Sequence, residues 1–434
     1  MLGRRYADGA TTRAGGRSAR TLDRRQVLAG LGAVGAGMAG MGGAVSGCAS
    51  SPGNGGGTPD ASSAVVPFRG EHQAGIATPA QDRLALAAFD VSEGTRRSDL
   101  IALLRDWTAA AAAMTAGRAV PGSSREPDAP PADTGEAAGL PSAALTLTVG
   151  FGPGLFDGRF GLGARRPAAL APLPALPGDE LDPNRCGGDL GVQACADDPQ
   201  VAFHAARNLA RLGRGIVTMR WFQLGFGRTS STSTTQATPR NLMGFKDGTR
   251  NVKGEDTAAM EAHVWVGRET DQPWLRGGSY LVVRRIRMLI ESWDRGTLAD
   301  QEAIIGRTKD VGAPLTGIAE FDIPDFRATR DGEPVIADDA HVRLASSENN
   351  GGLRILRRGY SYTDGIDPAT GQLDAGLVFL AYQKDPRTQF VALQRRLGHD
   401  DALNEYIRHN GSALFACPPG LTSADDWWGR ALLA

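Results

Sequence analysis

The sequence predicts an α+β protein made of two ferredoxin-like halves, each with an antiparallel sheet. Three features carry that prediction. Short apolar runs with period-two alternation are interleaved with amphipathic helical stretches. In the first half their order is strand–helix–strand–strand–helix–strand, which is the ferredoxin-like unit. A polar connector, RTSSTSTTQATPR at 228–240, then precedes a second set with a similar element order, although no sequence repeat joins the two. A chain of 434 residues is too long for one typical core and suits two. The expected halves are 75–235 and 236–434.

QDRLALAAFDV (81–91) opens the first half as a strand of small and apolar residues. SDLIALLRDWTAAAAAMTAG (98–117) reads as an amphipathic helix, with Ser98 as its N-cap and Gly117 at its end. AALTLTVGFG (143–152) alternates at period two, and after a proline-rich excursion at 163–183 DLGVQACA (189–196) is the next strand. PQVAFHAARNLARLG (199–213) has proline at a helix start and apolar residues at Val201, Ala205, Leu209 and Leu212. IVTMRWFQLGF (216–226) closes the half as a strand. Beyond the connector, AHVWVG (262–267) and GSYLVVRRIRML (278–289) are strand-like and LADQEAIIGRT (298–308) is helical. DAGLVFLAYQ (374–383) reads as a strand and DDALNEYIRHN (400–410) as a helix.

Residues 1–47 stand apart. Arg4, Arg5, Arg13, Arg17, Arg20, Arg24 and Arg25 precede the uncharged run VLAGLGAVGAGMAGMGGAV, the order of an export signal. Its many glycines make it a poor membrane-spanning helix. Arg24-Arg25 match the twin-arginine type, whose pathway carries folded proteins and so hints at an internal cofactor. VSGC at 45–48 resembles a lipobox, which makes Cys48 a lipid-anchor point with a glycine-rich tether over 48–74; plain secretion is the alternative. Without the signal the formal charge moves from −1 to −6, which argues against nucleic-acid binding. Cys186, Cys195 and Cys417 then remain after Cys48, an odd count that excludes a fully paired framework, although Cys186 and Cys195 could pair across a short loop.

No H-E-x-x-H, Walker loop, G-x-S-x-G or dinucleotide fingerprint is present. Among the histidines, His204 fits helix packing, His263 a core strand position, and His399 and His409 the solvated flanks of a helix. His341 opens an H-V-R-L-A stretch before a glycine-rich loop and the Arg357-Arg358 pair, a context open to both ligation and packing. NLMGFKDGTRNV at 241–252 reads first as a tight turn, because Asp bonds its own backbone and Gly supplies positive φ. Taken alone, Asp247 is turn chemistry.

GFKDGTRN at 244–251, HVRLA at 341–345 and LRRGYSY at 356–362 together resemble the dye-decolourising peroxidase family, in particular its twin-arginine-exported branch, which includes deferrochelatases. Gly244-Phe245-Lys246-Asp247-Gly248 fits the G-x-x-D-G signature of that family. GGDLGVQACADDPQ (187–200), QEAIIGRTKDVGAPL (301–315) and NEYIRHNGSALFACPPG support it, and the similarity runs from about residue 75 to the end. The resemblance implies a dimeric α+β barrel fold, with one haem b per chain held mainly by the C-terminal half. With no C-x-x-C-H in the sequence, that haem would be non-covalent.

The resemblance further implies His341 as the iron ligand, its other ring nitrogen oriented by an acceptor for which Asp401 and Glu405 are candidates. Asp247 would move a proton between the two peroxide oxygens. Arg357, rather than Arg358, would stabilise charge on the departing oxygen. Gly248, Thr249 and Arg250 are the expected contacts to the haem edge. The Asn-Pro-Arg common in this branch after H-x-R-L-A is replaced by Ser346-Ser347-Glu348-Asn349-Asn350, so an arginine expected near a haem propionate is missing. The implied reactants are H2O2 and dyes or other one-electron donors, with an acidic optimum because carboxyl groups ionise near pH ~4. Trp274, Trp293, Trp427, Trp428, Tyr360 and Tyr362 form the pool for passing electrons to the surface. Iron release from haem in company with iron-uptake proteins is the alternative, and a non-catalytic haem-binding surface lipoprotein a third reading. A homo-oligomer is compatible with each.

Overall fold

The structure, a computed structural model, describes residues 63–123 and 125–433. The signal at 1–47, Cys48 and the start of the expected tether lie outside the described residues. The rest of that tether is held against the fold: Gln73 donates to the carbonyls of Val149 and Pro418, and His72 stacks on Trp265 with ring centroids 3.7 Å apart. A free tether therefore does not extend to residue 74.

The first half runs β1 (Arg83–Val91), α1 (Arg97–Met114), β2 (Thr146–Phe151), β3 (Leu190–Ala196), α2 (Pro199–Leu212) and β4 (Val217–Arg228). The second runs α3 (Thr257–His263), β5 (Ser279–Met288), α4 (Ile290–Trp293), α5 (Leu298–Ile305), the short hairpin β6 (Thr329–Arg330) and β7 (Glu333–Pro334), and α6 (His341–Ala345). It ends with β8 (Leu356–Arg357), β9 (Tyr360–Ile366), β10 (Leu373–Gln383), α7 (Phe390–Asp400), β11 (Ile407–Cys417) and α8 (Arg430–Leu433). Each half shows ferredoxin-like order, β4-β1-β3-β2 and β9-β10-β5-β11. Pairings β11–β2 and β4–β9 join them into one antiparallel ring, to which β8 adds beside β10.

Successive side chains point to opposite faces, and strands such as β1 and β3 are apolar or small at nearly every position, so both sheet faces are buried. On β1, Ala85, Ala87 and Phe89 face a core shared with α1 and α2, whereas Leu84, Leu86 and Ala88 face the ring interior with Tyr360, Tyr382 and Phe415. The helices are seated by large anchors. Trp107 of α1 is fully buried and donates to the Leu209 carbonyl of α2 at 2.8 Å. A third cluster, with Phe245, Trp293, Ile305 and Leu403, lies in the second half.

Several local expectations are corrected. Arg96, not Ser98, caps α1, because Asp99 reaches back to the Arg96 backbone N–H and pairs with its guanidinium. AHVWVG forms no strand. Asp256 caps α3, which runs through His263, and Val264, Trp265 and Val266 pack their side chains in a loop. DDALNEYIRHN is not a helix, since α7 ends at Asp400 and Asp401 caps a short 3-10 turn before β11, whose alternating residues pair along β5. His409, expected in solvent, is therefore a 4 % exposed strand residue. Cys186, Cys195 and Cys417 are all free thiols. The first part of the polar connector is interior: Ser230 to Ser233 are at most 2 % exposed, with Ser231 and Thr232 hydroxyls donating to the Ser233 and Thr78 carbonyls, whereas Thr234 to Arg240 are partly or fully exposed. Hydroxyls that bond backbone can be buried at little cost, as at Ser231 and Thr232.

Candidate active site

The GFKDGTRN segment is a turn pinned on its apolar side. Met243 and Phe245 are buried, Phe245 meets Trp293 edge-on at 5.9 Å, and the Trp293 indole donates to the Met243 carbonyl. Asp247 N–H donates to Pro239 O at 2.9 Å. Gly248 has φ +85°, and a Cβ there would stand 3.0 Å from Ser230 Cα, so glycine meets both a backbone and a packing requirement. That close neighbour is protein backbone of the buried connector.

Asp247 is thereby held against β8. Its Oδ1 accepts from Arg357 Nη1 at 2.5 Å, while Oδ2 has only a long contact with Asn241 Nδ2 at 3.4 Å. Arg358 points elsewhere. Fully buried, it donates to the Thr78 carbonyl and to Gln81 Oε1 and ties β8 to the first half. Geometry thus separates the two arginines that sequence pattern cannot.

His341 opens α6, where its Nδ1 lies 2.6 Å from Asp401 Oδ2. Asp401 is itself fixed, its other oxygen accepting from Leu403 N–H at 2.9 Å. The structure thus puts Asp401, rather than Glu405, beside the ring. Among the described residues His341 Nε2 has no hydrogen-bond partner. Burial pulls the imidazole pKa down, but the Asp401 charge and hydrogen bond outweigh it and the net shift is upward. Asp247 and Arg357 act on the same ring with opposite signs, so the three side chains share one electrostatic neighbourhood. About a third of the His341 side-chain surface, 35 %, is accessible.

The neighbours of Asp247 have protein partners. Thr249 Oγ1 and Lys246 Nζ both bond the Glu320 carboxylate, and Arg250 pairs with Glu348 at 2.5 Å. Asn349 and Asn350, in the segment that departs from Asn-Pro-Arg, donate to the carbonyls of Arg343, Leu344 and Ser346 and so close the end of α6. The six aromatic residues of the electron-transfer pool are all buried, at 7 % exposure or less. Sequence reasoning missed Asn251, Glu320 and the buried serines. Asn251 had a signal, its place in the motif; Glu320 had none.

Comparison with known proteins identifies the family. The family models for Dyp-type peroxidase, N-terminal and Dyp-type peroxidase, C-terminal match residues 73–227 and 238–422. Deferrochelatase of Escherichia coli K12 is 41 % identical over 382 residues, covering 87 % of this chain and 89 % of that protein. Ferric DtpA from Streptomyces lividans superposes with a TM-score of 0.79 at 42 % identity, over 87 % of this chain and 100 % of the other. A DyP-type peroxidase from Cellulomonas bogoriensis gives 0.77 at 42 % identity, over 86 % and 99 %.

Proposed function

We infer the reaction of this chain from one premise: it belongs to the Dyp-type peroxidase family and is a haem-dependent peroxidase. The residues present suit that cofactor. Among the described residues His341 Nε2 has no hydrogen-bond partner and Nδ1 is held by a carboxylate, the donor arrangement of an imidazole iron ligand. Bound haem supplies the iron at which peroxide is reduced.

The protein's own part is proton and charge management. Asp247 Oδ2, the oxygen not taken by Arg357, accepts the proton of incoming H2O2 and returns it to the departing oxygen. Arg357 stabilises negative charge on that oxygen through its guanidinium donors. The Asp247–Arg357 contact, beside His341 in electrostatic reach, is the observation that carries this reading. Dyes or other one-electron donors then restore the resting enzyme. Absorption spectra of haem-loaded wild type and Asp247→Ala after one equivalent of H2O2 test it: the variant should react slower by about 10²-fold or more. Equal rates would show Asp247 to be dispensable.

The deferrochelatase relatives favour a second reading of the same pocket, removal of iron from haem with the ring intact. Metal-free protoporphyrin accumulating during turnover would support it. For location we propose twin-arginine export with lipidation at Cys48, supported by Arg24-Arg25 and VSGC. Replacing both arginines with lysine should retain the protein in the cytoplasm; unchanged export would remove this reading.

A further inference from the structure

We propose that Asn251 is a positioning residue for the peroxide reaction, its carboxamide clasping the backbone of Arg357 against the turn that carries Asp247. The inference rests on the reading of Asp247 and Arg357 given above.

Asn251 is 4 % exposed, and its carboxamide faces Arg357 and the connector. Its Oδ1 accepts from Arg357 N–H at 2.8 Å, and its Nδ2 donates to Arg357 O at 2.8 Å and to Ser231 O at 3.0 Å. Bonding both the N–H and the C=O of one residue imitates a rung of a sheet across 106 positions of chain. The Asn251 backbone N–H donates to Gly248 O at 3.0 Å, so the turn after Asp247 is closed on itself. Arg357 is thus attached twice to the same short segment, by its backbone at Asn251 and by its guanidinium at Asp247.

The clasp answers a local weakness. β8 is two residues long and meets β10 at only Leu356 and Arg357. A guanidinium on a flexible stem would leave one geometry readily if its backbone could shift. A carboxamide is the smallest side chain that supplies one acceptor and two donors in a plane. Aspartate keeps the acceptor and loses both donors, glutamine adds a methylene in a packed turn, and alanine loses all three bonds.

The test uses haem-loaded enzyme and four readouts: thermal midpoint, Soret band, fluoride affinity of the ferric form, and kcat/KM for H2O2 against KM for dye. Fluoride reports a correctly placed distal donor without turnover, and Arg357→Leu sets the size of that response. Asn251→Ala should weaken fluoride binding about tenfold and lower kcat/KM for H2O2 between about tenfold and a hundredfold. Dye KM and the Soret band should stay as in wild type. A purely structural role would lower the midpoint and leave fluoride affinity of the folded holoenzyme unchanged, and that result overturns the proposal. Should Asn251→Ala fail to fold, Asn251→Ser, which keeps one polar atom but not the two-point clasp, replaces it, and wild-type fluoride affinity there overturns the proposal equally. If Arg357→Leu itself leaves fluoride and H2O2 unaffected, the reading of the pair falls and takes the clasp with it.

Discussion

Lowering the pH from 7 to 5 should cost this fold about 2 kcal/mol through one side chain, His409. The imidazole is 4 % exposed on β11, its Nδ1 has no partner among the described residues and its Nε2 lies 3.3 Å from the Gln394 amide. Burial, and then the nearby Arg284 cation, push its pKa down to about 3. An unfolded histidine titrates near ~6.5, so below that pH the unfolded chain takes up a proton that the native state refuses. The stability is therefore fully present above pH ~6.5 and lost as pH falls towards about 3. At ~1.4 kcal/mol per unit, the ~1.5 units down to pH 5 give about 2 kcal/mol, with a ceiling of about 5 kcal/mol. Guanidinium unfolding of wild type and His409→Leu at pH 7, 6 and 5, at one saturating haem concentration, measures it. Wild type should lose about 2 kcal/mol more than the variant. Parallel pH slopes for the two proteins would refute the assignment. The loss falls in the acidic range expected for dye oxidation, so inactivation there would mix chemistry with unfolding.

Asp401→Asn should weaken haem retention about 10- to 100-fold while leaving the fold intact, because His341 loses its charged orienting partner; haem transfer to an acceptor apoprotein measures this. Gly248→Ala should cost about 1–3 kcal/mol, from positive φ and from contact with the Ser230 backbone, and a thermal melt that does not move would contradict it. Trp107→Ala should cost about 3–5 kcal/mol by emptying the α1–α2 contact, read as a shift of the denaturation midpoint.

The strands were legible because β1, β3, β5 and β10 are short runs rich in apolar and small residues, because β2 lies in a segment that alternates at period two, and because α1 and α2 carry helical spacing. What escaped was decided by contacts distant in sequence. Val264-Trp265-Val266 has strand composition, yet the Asp256 cap spends the preceding residues on a helix and leaves the triplet in a packed loop. The hydroxyl-rich connector looks solvated, since nothing local reveals that its partners are the carbonyls of Thr78 and its own turn. At the site, Asp247, His341 and Arg357 stood out by motif, whereas the preference for Arg357 over Arg358 becomes physical only when β8 is paired with β10. Glu320 was invisible, being tied to Lys246 and Thr249 by a fold contact over more than seventy residues.

The joining of the two halves into one ring has a consequence for how the chain can be divided. Each ferredoxin-like half, taken alone, would end in two open strand edges, β2 and β4 in the first and β9 and β11 in the second. Unpaired edges are templates for adding foreign strands, and long apolar ones lead to aggregation. Here each half is the other's edge protection, with one seam as short as the Phe151–Ala416 rung. Cutting the gene at the connector would therefore yield two self-adhesive pieces instead of two domains. Chain completion, before any haem is considered, is the event that makes this protein safe from itself.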